Sequence, residues 1–275
     1  MSGKEASNSS SSSSAPAEII RCGAGVAPEI FEKAKTCPQF LDWLSKQHED
    51  LNYQSIEIDA VTKFGDRPGL IHITTQVTFH KKPSKRIVFI RGGSVGVLLL
   101  VKSIETSKVY TIYVRQPRNA VGAIDFIEIP AGMLDGATGT LASSGVAVKE
   151  LQEEADLTIL PEDLVHLLQM IPSAGGCDEW IDLFLVFLSA KDSYIQGLIG
   201  KKTGELGSDE QITLGIAEFS EFEMMCLDGR CKDAKAMCAI FAMKSLVEKG
   251  KIEFKPSREI DSKGESKSKK CKTEA

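Results

Sequence analysis

The chain has 275 residues, 42% of them hydrophobic and 26% charged, which is ordinary globular composition and enough for one large domain or two small ones. A net charge of -5 gives no broad positive field, so nucleic acid and anionic membrane surfaces are disfavoured as partners. The apolar run VGVLLLV, Val95 to Val101, has the length of a strand and falls short of the roughly 18 residues of a membrane span. The cysteines, at positions 22, 37, 177, 226, 231, 238 and 271, are odd in number and include no CxxC pair. Reduced thiols are therefore expected, in place of a disulfide framework or a zinc site.

The N-terminal residues 1–17, with SNSSSSSSAPA, cannot bury apolar surface and predict a disordered tail. They lack the apolar core of a signal peptide, so the cytoplasm is expected, with plastid and nucleus left open. APEIFEKAKTCPQFLDWLSKQHED reads as two short helices meeting near Pro38, with Phe31, Phe40, Leu41 and Trp43 turned inward. SIEIDAVTKF and LIHITTQVTF, separated by GDRPG, predict a strand pair, and RIVFI, VGVLLLV and VYTIYVRQ continue the β-rich section. Their spacing leaves no room for helical crossovers, so much of the sheet is expected to be antiparallel or mixed. A helix is predicted from Ser143 or Ser144, either of which could cap it, with Ala147, Val148, Leu151 and Ala155 as its apolar face. WIDLFLVFLSA and ITLGIAEFS read as strands, and CKDAKAMCAIFAMKSLVEKG as an amphipathic helix ending at Gly250. From 251 to 275 the chain is rich in Lys and Ser, which predicts a basic disordered tail.

The chemistry concentrates between Glu128 and Leu157, in EIPAGMLDGATGTLASSGVAVKELQEEADL. Glu150 shares a helix face with both Glu153 and Glu154, and each like-charged pair at that spacing costs a few tenths of a kcal/mol, on the order of 0.2–0.5. A hard divalent cation relieves such crowding, because Mg²⁺ takes oxygen ligands and tolerates several waters. Upstream, Pro130 and Gly132 force a turn that can aim the carbonyl of Ala131 at the same ion. An exposed acidic helix face is the plainer alternative for ELQEE alone.

These residues resemble the signature of the Nudix hydrolases: glycine, five residues, glutamate, seven residues, then Arg-Glu-apolar-x-Glu-Glu-x-Gly-apolar. Gly132 stands at the opening glycine, and KELQEEADL, Lys149 to Leu157, stands at the second half, with lysine for arginine and Asp156 for glycine. The interval between them is three residues longer than the pattern, and Thr138 occupies the place of the early glutamate. IYVRQPRNAVGAIDFIEIPAGMLD, SAGGCDEWIDLFL and TGELGSDEQITLGIAEFSE are similar to segments of the branch that cleaves ADP-ribose and nucleotide sugars. FEKAKTCPQFLDWL and DAKAMCAIFAMKSL resemble plant ADP-sugar diphosphatases, so the likeness spans about residues 20 to 250.

The resemblance implies an α/β fold, a Nudix α/β/α sandwich with a mixed sheet, in residues 92–250. It also implies a helical and β-rich extension in residues 18–91 through which relatives pair as homodimers. It implies Mg²⁺, with Mn²⁺ as an alternative, bound by Glu150 and Glu154 directly, by Glu153 directly or through water, and by the Ala131 carbonyl. Glu153 would also act in catalysis. The expected base is Glu210, with Glu205 and Asp209 as alternatives. From charge and shape, Arg115 and Arg118 are candidates to clamp phosphates. Glu128 and Glu179 could take sugar hydroxyls, and Met133 could pack against the substrate. Surface ion pairing for the four charged residues, and core packing for Met133, stand beside those roles. The implied activity is hydrolysis of a nucleotide sugar of the ADP-glucose or ADP-ribose type to nucleoside monophosphate and sugar phosphate. UDP-sugars, or a module that binds nucleotide sugars without cleaving them, are the alternatives. His48, His72, His80 and His166 lie near no serine or cysteine in a nucleophilic pattern, and no Walker loop occurs, so acyl transfer and P-loop chemistry have no support.

Overall fold

The structure is a computed structural model that describes residues 17–136, 140–204, 211–261 and 264. It divides into two units: the chain up to Gly92 together with Ser173–Glu179, and Gly93–Pro172 together with the chain from Trp180 onward.

The first unit contains β1 (Ile20–Cys22), α1 (Pro28–Thr36), α2 (Pro38–Ser45), β2 (Asn52–Phe64), β3 (Arg67–Phe79) and β4 (Lys82–Ile90). Each helix opens on a proline, whose missing N–H costs nothing in a first turn. The strands form one sheet in the order β1-β2-β3-β4, with β1 parallel to β2 and the rest antiparallel. Alternation puts Ile56, Ile58, Ile71, Ile73 and Ile90 on the face covered by Ala34, Cys37, Phe40 and Trp43. Leu41, expected inside, is 48% exposed. Phe40 and Trp43, three apart, claim the inward face of α2, and the next residue after Phe40 is turned about 100° away from it. The segment Ser173–Glu179 lies along the end of β4, where Asp178 Oδ1 accepts the backbone N–H of Arg91 at 2.6 Å.

The second unit contains β5 (Gly93–Ser103), β6 (Val109–Arg118), β7 (Ala123–Glu128), β8 (Ala131–Met133), α3 (Thr140–Ala155), β9 (Leu164–Met170) and β10 (Trp180–Ala190). It continues through α4 (Asp192–Gly197), β11 (Lys202–Thr203), β12 (Ile212–Glu218), α5 (Phe219–Leu227) and α6 (Ala234–Glu248). The sheet runs β11-β12-β6-β5-β10-β9, with β7 paired to β6 and β8 to β5. Among the described residues the central pair β5–β10 is the one parallel strand pair of this sheet, so the sheet is mixed.

Why VGVLLLV is apolar throughout is now evident. Val95, Val97, Leu99 and Val101 face Ala147, Leu151 and Ala155 of α3. Leu98 and Leu100 face Phe222 of α5 and Ala236, Ala239, Ile240 and Met243 of α6. A strand covered on both faces loses the polar alternation of a surface strand. Burying each such side chain contributes about 1.5–3 kcal/mol. The second unit is thus an α/β/α sandwich.

Two further sequence expectations are corrected. The carboxylate helix begins at Thr140, so Ser143 is no cap: it is fully buried inside the helix, and its hydroxyl donates to Asp182 Oδ2 on β10 at 2.6 Å. The expected disordered tail from 251 gives way, over its first residues, to packed chain. Ser257 N–H bonds to Phe187 O at 2.7 Å, Ser189 N–H to Arg258 O at 2.9 Å, and Ile260 is 2% exposed. Composition missed this because one isoleucine and one arginine among polar residues suffice for docking: Arg258 Nε meets the buried Asp163 at 2.6 Å.

Candidate active site

The turn and the helix meet as carboxylates on backbone. β7 leads through Ile129 and Pro130 into β8, whose Ala131 pairs with Gly96 of β5. The Ala131 N–H donates to Glu154 Oε2 at 3.0 Å, and Glu154 is 5% exposed. One residue on, a Cβ at Gly132 would fall 1.9 Å from Glu150 Oε1. Only glycine therefore leaves room for that carboxylate against the strand. Glu150 and Glu154, four apart on α3, address the same turn. Glu153 turns aside: Lys149 Nζ is 3.1 Å from its Oε2, and Glu153 lines a cleft of about 490 Å³ with Gln152, Asp156, Lys201, Lys202, Thr203 and Gly204. The charge crowding read from the sequence is therefore distributed, one carboxylate on an N–H, one against a glycine and one on a lysine.

The end of α3 is held by the neighbouring strand. Leu157 N–H closes back on Leu151 O at 3.1 Å while Asp156 takes a φ of 50°, the left-handed position where the family signature has glycine. The last carbonyls are satisfied by Thr203 Oγ1, which donates to Glu154 O at 2.6 Å, and by Gly204 N–H, which donates to Glu153 O at 3.0 Å. Lys201 pairs with Asp156, offsetting an acid at the negative end of the helix dipole.

A second group of charges lies at the hairpin of β6 and β7. Arg118 Nε donates to Glu128 Oε1 at 2.7 Å, and Lys235 Nζ to Glu128 Oε2 at 3.1 Å. Lys235 also meets Asp233 Oδ1 at 2.9 Å, and Asp233 Oδ2 accepts the N–H of Ile129 at 3.0 Å. Burial lowers the Arg118 pKa, but the carboxylate of Glu128, with Glu154 and Asp233 beyond it, outweighs this and leaves it above its ordinary value. Lys235 behaves likewise: burial lowers it, and Asp233 and Glu128 raise it further, so the ammonium stays charged. Arg115 faces a different partner. Its Nε donates to Asp125 Oδ1 at 2.8 Å near the surface, and that hydrogen bond raises the Arg115 pKa and lowers that of Asp125.

Of the sequence candidates, Ala131, Gly132, Glu150 and Glu154 come together at the turn, and Arg118 with Glu128 forms the adjoining cluster. Met133 is half-buried on β8, opposite Ser94. Glu179 belongs to the first unit, where its Oε1 accepts Arg91 Nε at 3.0 Å. Glu205, Asp209 and Glu210 lie outside the described residues. Asp233 and Lys235 were missed. The sequence carried half the signal, since an Asp ahead of an apolar periodic run marks an N-cap, and Asp233 does cap α6 by accepting Lys235 N–H at 3.1 Å. Its second oxygen and its lysine partner follow from the packing of α6 on the sheet.

No three acidic, histidine or cysteine side chains converge as a ready-made metal cage among the described residues. Glu150 and Glu154 nevertheless bring carboxylate oxygens to one turn, at Gly132 and Ala131. That suits Mg²⁺, which keeps several waters and needs only one or two carboxylates besides substrate oxygens.

No protein-family model matches the chain. It is 29% identical over 242 residues to an Arabidopsis thaliana protein named Nudix hydrolase 14, chloroplastic, with 81% of this chain and 75% of the relative covered. The fold is similar to a crystal structure of an ADP compounds hydrolase, with a TM-score of 0.53 at 11% identity, covering 74% of this chain and 98% of the other. In the residues at Gly132 and Lys149–Leu157, in the sandwich that carries them and in its Arabidopsis relative, this chain is similar to the Nudix hydrolases.

Proposed function

We propose that the chain hydrolyses the diphosphate bond of a nucleotide sugar of the ADP-glucose or ADP-ribose type, giving nucleoside monophosphate and sugar phosphate, with Mg²⁺ or Mn²⁺ as cofactor. The observation that carries this reading is the placement of Glu150 and Glu154 on one turn, the first against Gly132 and the second on Ala131 N–H. The name of the Arabidopsis relative supports a hydrolase, that of the ADP compounds hydrolase supports an ADP-linked substrate, and the chloroplastic relative favours the plastid over the cytoplasm.

In this reading Glu150, Glu154 and the Ala131 carbonyl hold the metal, and Glu153 assists directly or through water. The metal supplies neutralisation of the diphosphate and activation of the attacking water. Arg118, fixed along its Nε edge by Glu128 and 43% exposed, turns its remaining donors to phosphate oxygens. Arg115 guides phosphate from the outer end of the hairpin, and Met133 packs against the substrate. Glu128 and Glu179 take sugar hydroxyls, Glu128 while it orients Arg118. Glu210 takes the proton of the attacking water, with Glu205 and Asp209 as alternatives. Relatives by resemblance pair through the β-rich N-terminal unit, and light scattering on the purified protein tests for a homodimer.

A nucleotide-sugar-binding module without turnover is the second reading. It is favoured by Lys149 standing where the signature has arginine, by its ion pair with Glu153, and by the absence of a three-carboxylate cage among the described residues. Product release from ADP-glucose, ADP-ribose and UDP-glucose, with Mg²⁺ and with chelator, separates the two. Mg²⁺-dependent turnover supports the enzyme, and preference for UDP-glucose moves the specificity to UDP-sugars. Tight binding without turnover establishes the module.

A further inference from the structure

We propose that Lys235 is a positioning residue for Arg118, acting through Glu128 to orient the guanidinium toward the substrate's diphosphate. The inference rests on the reading that Arg118 binds phosphate. Glu128 is the intermediary: its side chain is 3% exposed, with Arg118 Nε on one oxygen at 2.7 Å and Lys235 Nζ on the other at 3.1 Å. Lys235 is in turn fixed by Asp233 at 2.9 Å, and Asp233 is bolted to the strand by Ile129 N–H at 3.0 Å. Two cations and two carboxylates thus compensate one another, and of the four only Arg118 opens broadly to solvent, at 43% against 16% for Lys235 and 4% for Asp233.

A buried charge cluster adds little stability over apolar packing of the same volume. Its distinguishing effect is directional. With both Glu128 oxygens engaged, the carboxylate is held in place, and its one bond to Arg118 keeps the Nε edge inward and the outer edge toward solvent. Without the ammonium, the second oxygen loses its ionic partner, and Glu128 is free to draw both edges of the guanidinium onto itself in a bidentate pair. The arginine then has fewer donors for phosphate.

The test is steady-state kinetics of Lys235→Met, which keeps most of the buried stem and removes the charge. KM for the preferred nucleotide sugar is expected to rise about tenfold, the scale of one charge-assisted hydrogen bond, with kcat within about threefold of wild type. Because Lys235 acts through Arg118, Arg118→Gln should raise KM by a smaller factor in the Lys235→Met background than alone. Unchanged KM, a loss confined to kcat, or fully additive effects overturn the inference. If circular dichroism shows Lys235→Met unfolded, Asp233→Asn carries the same test, since it keeps an acceptor for Ile129 N–H while removing the charge that fixes the ammonium. Raised KM in that variant supports the inference, and unchanged KM overturns it. A wild-type protein that cleaves no nucleotide sugar overturns the proposed function and this inference with it. Active wild type with unaffected variants overturns the inference alone.

Discussion

Glu154 reaches from the last turn of α3 to the backbone of Ala131, its Oε2 accepting the N–H at 3.0 Å. A carboxylate that is 5% exposed is ordinarily expensive to bury, and one N–H bond offsets part of that cost. A carboxylate held at this turn suits a hard divalent cation, which gives the first prediction. Glu154→Gln keeps the size of the side chain and an oxygen for Ala131, so thermal unfolding should move little. Mg²⁺-dependent turnover should fall at least about 10–100-fold, the range for perturbing even the supporting shell of a metal site. Full activity in this variant would remove Glu154 from the metal set.

Gly132→Ala tests the neighbouring carboxylate. The added methyl meets Glu150 Oε1 at 1.9 Å, and the flexible glutamate must swing away. The fold should survive, because a side-chain end yields more easily than backbone. The concentration of Mg²⁺ giving half-maximal activity should rise, as read in a metal titration of turnover; an unshifted titration would separate Glu150 from the metal.

Asp156 occupies a left-handed position with φ 50° and pairs with Lys201 at a site where both side chains are substantially exposed. A non-glycine residue there costs about 1 kcal/mol, while an exposed pair is worth about 0–1 kcal/mol. Asp156→Gly removes both terms, whereas Asp156→Ala loses the pair and keeps the strain. Urea unfolding should therefore place the glycine variant about 1 kcal/mol above the alanine variant. Equal stabilities would show that the helix end tolerates the conformation without cost.

Tyr194 tests the alkaline limit. Its hydroxyl is buried with no hydrogen-bond partner among the described residues, and burial first, then the charges of Asp156 and Asp261, push its pKa up to about 12. The unfolded tyrosine ionises near its ordinary value of about 10. The folded state thus holds its proton longer, and the associated stability is complete below pH ~10 and lost as pH rises toward ~12. Tyr194→Phe should be neutral or mildly stabilising at pH 7 and should move alkaline unfolding to higher pH. An unaltered alkaline transition would show that ionisation of Tyr194 does not contribute to it.

Much of this was legible in the sequence, and the misses have physical causes. The buried strand at Val95–Val101 and the carboxylates of α3 could be read because periodicity and spacing are local properties. The N-terminus of α3 could not: Ser143 has the chemistry of a cap, and only the packing of α3 on β10 shows its hydroxyl bound to Asp182 instead. Leu41 was assigned inward because it is apolar, yet Phe40 and Trp43 had already fixed which face of α2 is buried. Lys235 was invisible as a site residue because it lies more than 100 residues from Glu128, and only the docking of α6 brings the two together.

The return of Ser257–Ile260 along the end of β10 bears on where the protein can be trimmed. Composition suggests cutting at residue 250, but that cut would strip Ile260 from the core and leave Asp163 without Arg258. It would also uncover the backbone groups of Phe187 and Ser189, an open strand margin of the sort that recruits other chains into aggregates. The last stretch of described chain is therefore a hem on the sheet, and the shortest well-behaved version of the protein extends past Ile260.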